Sequence, residues 1–328
     1  MSAPGRPDAS VVVPTAGHRE AITTLLTSLG QQTVGADRFE TIVVLNRVVD
    51  GRRELVERFE AAYRLVVLNE EKRGRAAACN AGAARAAGEI VVFLDDDMDP
   101  SPDWLEAHLD RHRETPRVAV MGAVPVVVTD RTTPLERWIA RNFEEHHARL
   151  SSGTRPFHLR DFYTGNTSLP TAVFAEVGGF DDSYTQYGHE DLELLVRLRE
   201  AQVGVVFEPR AVATQAYDKS FAAFAEDMRG TGRTAVQLAE THPGAAEDVT
   251  AFRVGPRGWP RVRAPLLRAG RLGMPQVVVA LAGVLERVAP RRTTLFYALA
   301  SDYFFWLGVQ DAGGTTSTLT GRTGTGAR

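Results

Sequence analysis

Asp95, Asp96 and Asp97 follow directly on the apolar run Ile90 to Leu94. In extended geometry Asp95 and Asp97 point the same way. Carboxylates that close raise each other's pKa unless a cation lies between them. An oxygen-only donor set suits a hard divalent cation, and Mg²⁺ or Mn²⁺ commonly takes one or two carboxylates together with substrate phosphate oxygens. A solvated acidic loop is the plainer explanation. It suits Asp99 and Asp103, which read as a helix entry around Pro100-Ser101-Pro102 with Ser101 as the cap. It suits the Asp95–Asp97 triplet at the mouth of a buried run less well.

A second block, Gly188-His189-Glu190-Asp191, opens the apolar-periodic stretch Leu192 to Leu198. Acids at a helix start satisfy free N–H groups and the helix dipole, which accounts for one carboxylate. A carboxylate held there and aimed into a cleft can also act as a general base.

These residues need elements to carry them. Ser10–Val13 (stopped by Pro14), Thr41–Leu45, Arg64–Leu68 and Glu89–Leu94 read as strands. Glu20–Leu29, Arg53–Tyr63 and the alanine-rich Ala76–Ala87 read as helices. Strands apolar on both faces and separated by helices imply βαβ units in a parallel sheet. Such sheets bind ligands beyond the carboxyl ends of their strands. Pro14, Thr15, Asn46 and Asp95 to Asp97 all fall just past those ends.

Beyond Pro100, helices are expected at Trp104–Arg113, Thr132–Leu150, Thr171–Val177 and Asp191–Ala201. Val118–Val128 reads as a β-rich stretch broken by Pro125, Ser151–Thr154 as a loop, and Val203–Phe207 as a strand. From about Ser220 the pattern is helical. Residues 1–9 read as a flexible N-terminus, and the Gly/Thr-rich residues 313–328 as a disordered tail.

Composition narrows the function classes. The 328 residues are 44% hydrophobic and 24% charged, with a formal net charge of -3. No global basic field advertises nucleic acid. The single cysteine, Cys79, excludes an internal disulfide and a cysteine-rich zinc site, and reads as helix packing. No secretory leader pattern precedes Val11, and the apolar run Met274–Leu285 is too short to span a bilayer. The expected location is cytoplasmic.

The C-terminal third leaves two readings open. Arginine predominates from Arg253 to Arg292 against one acid, Glu286, with the apolar Val277–Leu285 inside that stretch. Aromatic Phe296-Tyr297 and Tyr303 to Trp306 follow. Such helices could lie peripherally on the inner face of an anionic membrane. They could equally pack on the catalytic domain or pair two copies as a homodimer, with the arginines solvated. His146 and His147 read as surface residues of the Thr132–Leu150 helix.

Six blocks in order carry a resemblance. They are Val11-Val12-Val13-Pro14-Thr15, Arg73-Gly74 with Asn80-Ala81-Gly82, Phe93-Leu94-Asp95-Asp96-Asp97, Gly165-Asn166-Thr167-Ser168, Gly178-Gly179-Phe180-Asp181 and Glu190-Asp191. In order and spacing over residues 10 to 215 the chain resembles the inverting glycosyltransferases of family 2, with the GT-A fold. The resemblance implies an α/β, Rossmann-like catalytic domain over residues 10–218, with a mostly parallel sheet flanked by helices. Its nucleotide-binding half would cover 10–100 and its acceptor-binding half 101–218, followed by a helical C-terminal extension over 219–312. It further implies transfer of a sugar from a nucleotide-diphospho-sugar to a hydroxyl on a small molecule, a glycan or a lipid-linked sugar. A UDP-sugar is favoured, with dTDP or GDP open, and Mg²⁺ or Mn²⁺ is the implied cofactor.

Position by position, Pro14 and Thr15 would cradle the nucleotide base. Asn46, Arg73 and Asn80 would add nucleotide-sugar contacts. Asp97, with Asp95, would ligate the metal at the diphosphate, and Asp96 would face the ribose or sugar. Asn166 would line the sugar and acceptor pocket. Asp191 matches the catalytic base, and Glu190 would orient the acceptor.

Three positions depart from the family pattern. Leu45 stands where an Asp usually follows the second strand, Cys79 replaces an arginine, and Gln215 stands where a metal-site His is common. These departures leave room for a sugar-nucleotide-binding partner without transferase activity. A sugar nucleotidyltransferase also combines a parallel sheet with acidic ligands, but Val13-Pro14-Thr15-Ala16-Gly17-His18 lacks its glycine-rich basic loop.

Overall fold

The computed structural model describes residues 6–16, 21–47, 51–154, 157–245, 248, 259–315 and 318–319. Residues 1–5 and most of the 313–328 tail lie outside these, but residues 6–9, expected to be flexible, are tied into the fold: Asp8 N donates to Arg38 O at 2.7 Å and buried Ala9 opens the first strand. The chain divides into two compact units: residues 1–127, 142–185 and 190–217 form the first, and 128–141, 186–189 and 218–328 the second.

The first unit is built on an eight-stranded sheet. Its strands are β1 (Ala9–Thr15), β2 (Phe39–Asn46), β3 (Arg64–Glu70), β4 (Ile90–Leu94), β5 (Met98–Pro100), β6 (Val118–Ala123), β7 (Asn166–Pro170) and β8 (Gly204–Gln215). The spatial order is β3-β2-β1-β4-β7-β6-β8-β5. Strands β3, β2, β1 and β4 run parallel, as the apolar runs require. The other half is mixed. β7 is antiparallel to both β4 and β6, β8 is parallel to β6, and β5 is antiparallel to β8.

Helices α1 (Ala21–Leu29), α2 (Arg52–Glu57), α3 (Arg75–Arg85) and α4 (Trp104–Glu114) cover the sheet, with α6 (Thr171–Glu176) and α7 (Glu190–Glu200) following α5 (Pro134–Ser152). α1 buries Ile22, Leu25, Leu26 and Leu29 at helical spacing in the core with Val11, Val13, Val43 and Leu94. α3 lies close on the sheet because Gly82 faces Val12 and Val44, where an added methyl would collide.

Several boundaries differ from the sequence reading, each for a local reason. β1 continues through Pro14, since its ladder with β4 ends at Val12–Phe93 and proline there forfeits no cross-strand bond on that side. α2 stops at Glu57 instead of reaching Tyr63, because the chain turns to enter β3. Tyr63 is thereby buried against Phe39, with its hydroxyl donating to Leu26 O at 2.8 Å. β6 ends at Ala123, leaving Val126 a lone bridge to Gln215. α5 runs to Ser152, absorbing half the expected loop. β5 makes a strand of Asp99, expected as a helix-entry residue. Ser101 does not cap α4; its hydroxyl donates to Asp103. His146 and His147 are half-buried, not surface residues. His147 Nε2 accepts from Val124 N at 3.3 Å, and burial pulls its pKa down to about 4.

The second unit is helical. Its long elements are α8 (Phe221–Thr241), α9 (Trp259–Arg268), α10 (Met274–Val288) and α11 (Thr293–Asp311). α8 and α11 cross where Gly232 meets the Phe305 carbonyl and Gly308 meets the Arg229 carbonyl, contacts that leave no room for a side chain. The aromatic run is core: Tyr303, Phe304, Phe305 and Trp306 are all buried. The buried Asp302 carboxylate accepts from Trp259 and Trp306 indole N–H groups and from Arg263, at 2.7 to 3.1 Å. Among the described residues no helix is long and apolar enough to cross a membrane.

Candidate active site

The parallel strands deliver their carboxyl ends to one edge of the sheet. Thr15 ends β1, Asn46 ends β2, and Asp95 to Asp97 follow β4. β7 runs the other way, so the residues before it arrive at the same edge: Asn166 pairs with Leu94, and Thr164 and Gly165 stand beside Asp95. Asp95 N donates to Gly165 O at 3.0 Å, and an added Cβ on Gly165 would collide with the Asp95 carboxylate. A side chain there would push the Asp95 carboxylate out of its place.

Each acid of the triplet has its own partner. Asp95 Oδ1 accepts from Arg75 Nε at 2.8 Å. Asp96 is buried and accepts from the Thr15 hydroxyl, tying the end of β1 to the triplet. Asp97 accepts from Gln215 Nε2 at 2.9 Å, at the end of β8. Asp95 and Asp97 offer hard oxygen donors, yet among the described residues no group of three or more His, Cys, Asp or Glu could enclose a cation. This donor set fits Mg²⁺ or Mn²⁺ only as a cation shared with substrate oxygens.

The second acidic block joins the first. Glu190 and Asp191 begin α7. Asp191 accepts from the Thr164 hydroxyl and lies 3.5 Å from Arg75 Nη1. Burial raises the Asp191 pKa, and Arg75 and Thr164 oppose that rise. Burial, then the Asp191 charge, pushes Glu190 up to about 7. Glu190 Oε2 is buried with no hydrogen-bond partner among the described residues. On Arg75 itself burial disfavours the charge, but Asp95 and then its other acidic neighbours carry its pKa well above the ordinary value.

The remaining expected residues divide. Asn46, Arg47, Arg73 and Ala16 line a recess of about 330 Å³ at the ends of β1 and β2. The Asn46 amide also donates to Lys72 O at 2.7 Å and accepts from Gly74 N, so it shapes the turn into α3. Asn80 does not face this recess: its amide exchanges two 2.8 Å bonds with the Phe180 backbone, clamping α3 to the Gly178-Gly179-Phe180 turn. Asn166 does not line the cleft either. It is fully buried, accepting from Trp104 Nε1 and bonding His108 Nε2 while donating to Ala123 O and Ala211 O.

Sequence reading missed Arg75 and Thr164. Arg75 carried a signal, being the first charge of an otherwise alanine-rich helix directly after Gly74, whose φ is +119°. Thr164 carried none, since only the antiparallel direction of β7 brings it here.

Comparison with known proteins agrees with this architecture. The family model "Glycosyl transferase family 2" covers residues 10–178, just over half the chain, and "N-terminal domain of galactosyltransferase" covers 144–219. The chain is 29% identical over 213 residues to validoxylamine A glucosyltransferase of Streptomyces hygroscopicus, covering 58% of this chain and 50% of that protein. It is 28% identical over 249 residues to pre-mycofactocin glycosyltransferase of Mycobacterium tuberculosis, covering 74% and 50%. The chain thus spans about half the length of these curated relatives. Among solved structures, a mannosyltransferase from Pyrobaculum calidifontis, in complex with GDP-Man and Mn²⁺, superposes with a TM-score of 0.61 at 21% identity, covering 90% of this chain and 86% of that one. TarS of S. aureus gives 0.56 at 21%, covering 93% and 91%. The chain belongs to glycosyl transferase family 2 and has the GT-A fold.

Proposed function

We propose that the chain transfers a sugar, with inversion, from a nucleotide-diphospho-sugar to an acceptor hydroxyl, with Asp191 as the base. The observation that carries this reading is the meeting of two carboxylates from opposite halves of the unit. Asp95 and Asp191 both contact Arg75, one at the end of β4 and one at the start of α7. Asp191 takes the proton of the acceptor hydroxyl as its oxygen attacks the anomeric carbon. The bond from that carbon to the diphosphate oxygen breaks, and the nucleoside diphosphate leaves with the electron pair. Base and leaving group stand on opposite faces of the sugar, so the configuration inverts. Asp97 and Asp95 would hold Mg²⁺ or Mn²⁺, which supplies charge neutralisation at the leaving diphosphate. Glu190, its pKa raised to about 7, keeps its proton in about half of the molecules at pH 7, and the protonated carboxyl can donate a hydrogen bond to the acceptor.

The recess at Ala16, Asn46, Arg47 and Arg73 suits the nucleotide; Pro14 and Thr15 are buried in the strand that leads to it and would shape it from beneath. Solved relatives in complexes with GDP-Man, UDP and UDP-GlcNAc support a nucleotide-sugar donor. A UDP-sugar is our first choice, because two of those complexes hold UDP or a UDP-sugar. The test is a panel of UDP-, dTDP- and GDP-sugars screened for Mn²⁺- or Mg²⁺-dependent thermal stabilisation, followed by turnover of the donor that binds. Asp97→Ala is expected to abolish the metal-dependent part. Asp191→Asn is expected to keep donor binding and lose transfer by about 10³-fold. An active Asp191→Asn variant sinks the base assignment. Donor binding without turnover in the wild type would make the chain a non-catalytic partner.

A membrane contact is supported by α10. Val277, Leu281, Val284 and Val288 recur at helical spacing on one face and are 46 to 78% exposed. Exposed Arg287, Arg291 and Arg292 stand at its C-terminal end with no ion pair among the described residues. The nearby acid, Glu286, already accepts from the Tyr297 hydroxyl at 2.7 Å. An apolar stripe with a cationic end fits the inner, anionic face of a membrane. The protein should float with phosphatidylcholine/phosphatidylglycerol vesicles and not with phosphatidylcholine alone, and Leu281→Glu should release it. A dimer in solution that Leu281→Glu splits, without vesicle binding, would assign the stripe to a second copy instead.

A further inference from the structure

Groups far apart in the chain meet on one guanidinium. Arg75 Nε donates to Asp95 Oδ1 at 2.8 Å, and Nη2 lies 2.8 Å from the same oxygen. Nη1 donates to Thr164 Oγ1 at 2.7 Å and stands 3.5 Å from Asp191 Oδ1. The Thr164 hydroxyl then donates to Asp191, so threonine and arginine hold that carboxylate together. The guanidinium carbon also sits 5.9 Å from the centre of the Phe180 ring. Phe180 is itself fixed to α3 through Asn80.

The local sequence explains why position 75 can do this. Gly74 adopts φ +119°, a backbone that other residues rarely take, and α3 starts immediately after it. Arg75 thus projects from the first turn of a helix that Gly82 seats tightly on β1 and β2. One turn further on the same face is Cys79, fully buried, its thiol pushed up to about 12 by burial and so uncharged. Among the described residues of α3, Arg85 is the other basic residue, at the opposite end.

A guanidinium is a planar fork, and its donors point in fixed directions that an ammonium cannot reproduce. We propose that Arg75 is a positioning residue of the reaction: its fork fixes the distance and orientation of Asp191, on the acceptor side, relative to Asp95, on the donor side. This rests on the reading of Asp191 as base and Asp95 as a donor-side carboxylate. A residue that only neutralised acidic charge would be replaceable by lysine. A residue that sets geometry would not be, because a displacement of about 1 Å at a reacting group costs roughly 100-fold in rate.

The experiment has two arms. In the first, hydrolysis of UDP-glucose with Mn²⁺ is followed for wild type, Arg75→Lys and Arg75→Gln. Both variants are expected to lose about 100-fold in kcat, with KM for UDP-glucose within about threefold of wild type. Wild-type kcat in Arg75→Lys overturns the proposal. The second arm needs no turnover: the thermal midpoints of ligand-free wild type, Arg75→Gln, Asp191→Asn and the double variant form a cycle. The double variant should be less destabilised than the two single shifts predict, and strict additivity overturns the proposal. If wild type hydrolyses no UDP-glucose while the cycle is coupled, the donor assignment fails and the Arg75–Asp191 coupling stands.

Discussion

Gln215 donates to Asp97 at the spot where the family pattern places a histidine. An amide is a weaker ligand for Mn²⁺ than an imidazole, and here it spends its N–H on the carboxylate. Gln215→His should therefore lower the Mn²⁺ concentration needed for half-maximal thermal stabilisation in the presence of UDP by about tenfold. No shift in that titration would show that residue 215 does not face the cation. Glu190 gives a pH prediction. Its folded pKa, about 7, lies above the ordinary 4.5, so the native state keeps a proton that the unfolded chain has released. That contribution is full below pH 4.5 and is lost as pH rises through 7. Glu190→Gln should raise the thermal midpoint by about 3 °C at pH 8 and leave it unchanged at pH 5. Equal effects at both pH values would refute a raised Glu190. Neither partner was legible in the sequence: Gln215 and Asp97 are over a hundred residues apart, and burial of Glu190 is a tertiary fact.

At the scale of elements, β7 decides the site. Its polar sequence, Asn-Thr-Ser-Leu-Pro, gave no strand signal because its side chains are satisfied inside the protein, by α4 and by backbone carbonyls, instead of by water. His108 bonds Asn166 at 3.0 Å and Ser168 at 2.8 Å, and His112 bonds Ser168 at 2.8 Å. Burial lowers His108 to about 4 and His112 to about 3, so both are neutral at pH 7. With folded values below the unfolded 6.5, the unfolded chain binds more protons in acid. Stability from this pair is full above pH 6.5 and falls as pH drops towards 4, by on the order of 3 kcal/mol per histidine at the limit. His108→Gln should flatten the dependence of unfolding free energy on pH between 6.5 and 4; an unchanged slope would place the acid sensitivity elsewhere. By contrast β1 to β4 were readable because parallel strands buried on both faces must be continuous apolar runs.

At the scale of the molecule, a sequence boundary near residue 218 is also where the helical unit resumes. That unit additionally takes in 128–141, where Trp138 lies 5.8 Å from Phe224 and 5.6 Å from Tyr297, ring centre to ring centre. A chain ending at residue 218 would strip Trp138 of those partners. Such a truncation should yield aggregated or strongly destabilised protein by size-exclusion chromatography and thermal melting. A monodisperse product melting like the full chain would show the first unit to be independent. The first half of α5 looked like an ordinary amphipathic helix in sequence, with nothing to say which unit its apolar face would join.

The sequence by itself determined the α/β class, the four parallel strands and the placement of Asp95 to Asp97 beyond one of them. Periodicity and burial are local properties, and a run such as Ile90 to Leu94 has few ways to satisfy them. Only the tertiary structure decided which distant groups share the site. Arg75, Thr164 and Gln215 reach the carboxylates because β7 runs antiparallel to β4 and β8 ends beside β5, pairings set by packing and ladder hydrogen bonds far apart in the chain. The same packing withdrew Asn80 and Asn166 from the cleft by spending their amides on buried backbone and side-chain partners, where an unpaired polar group would cost more than a ligand contact could return.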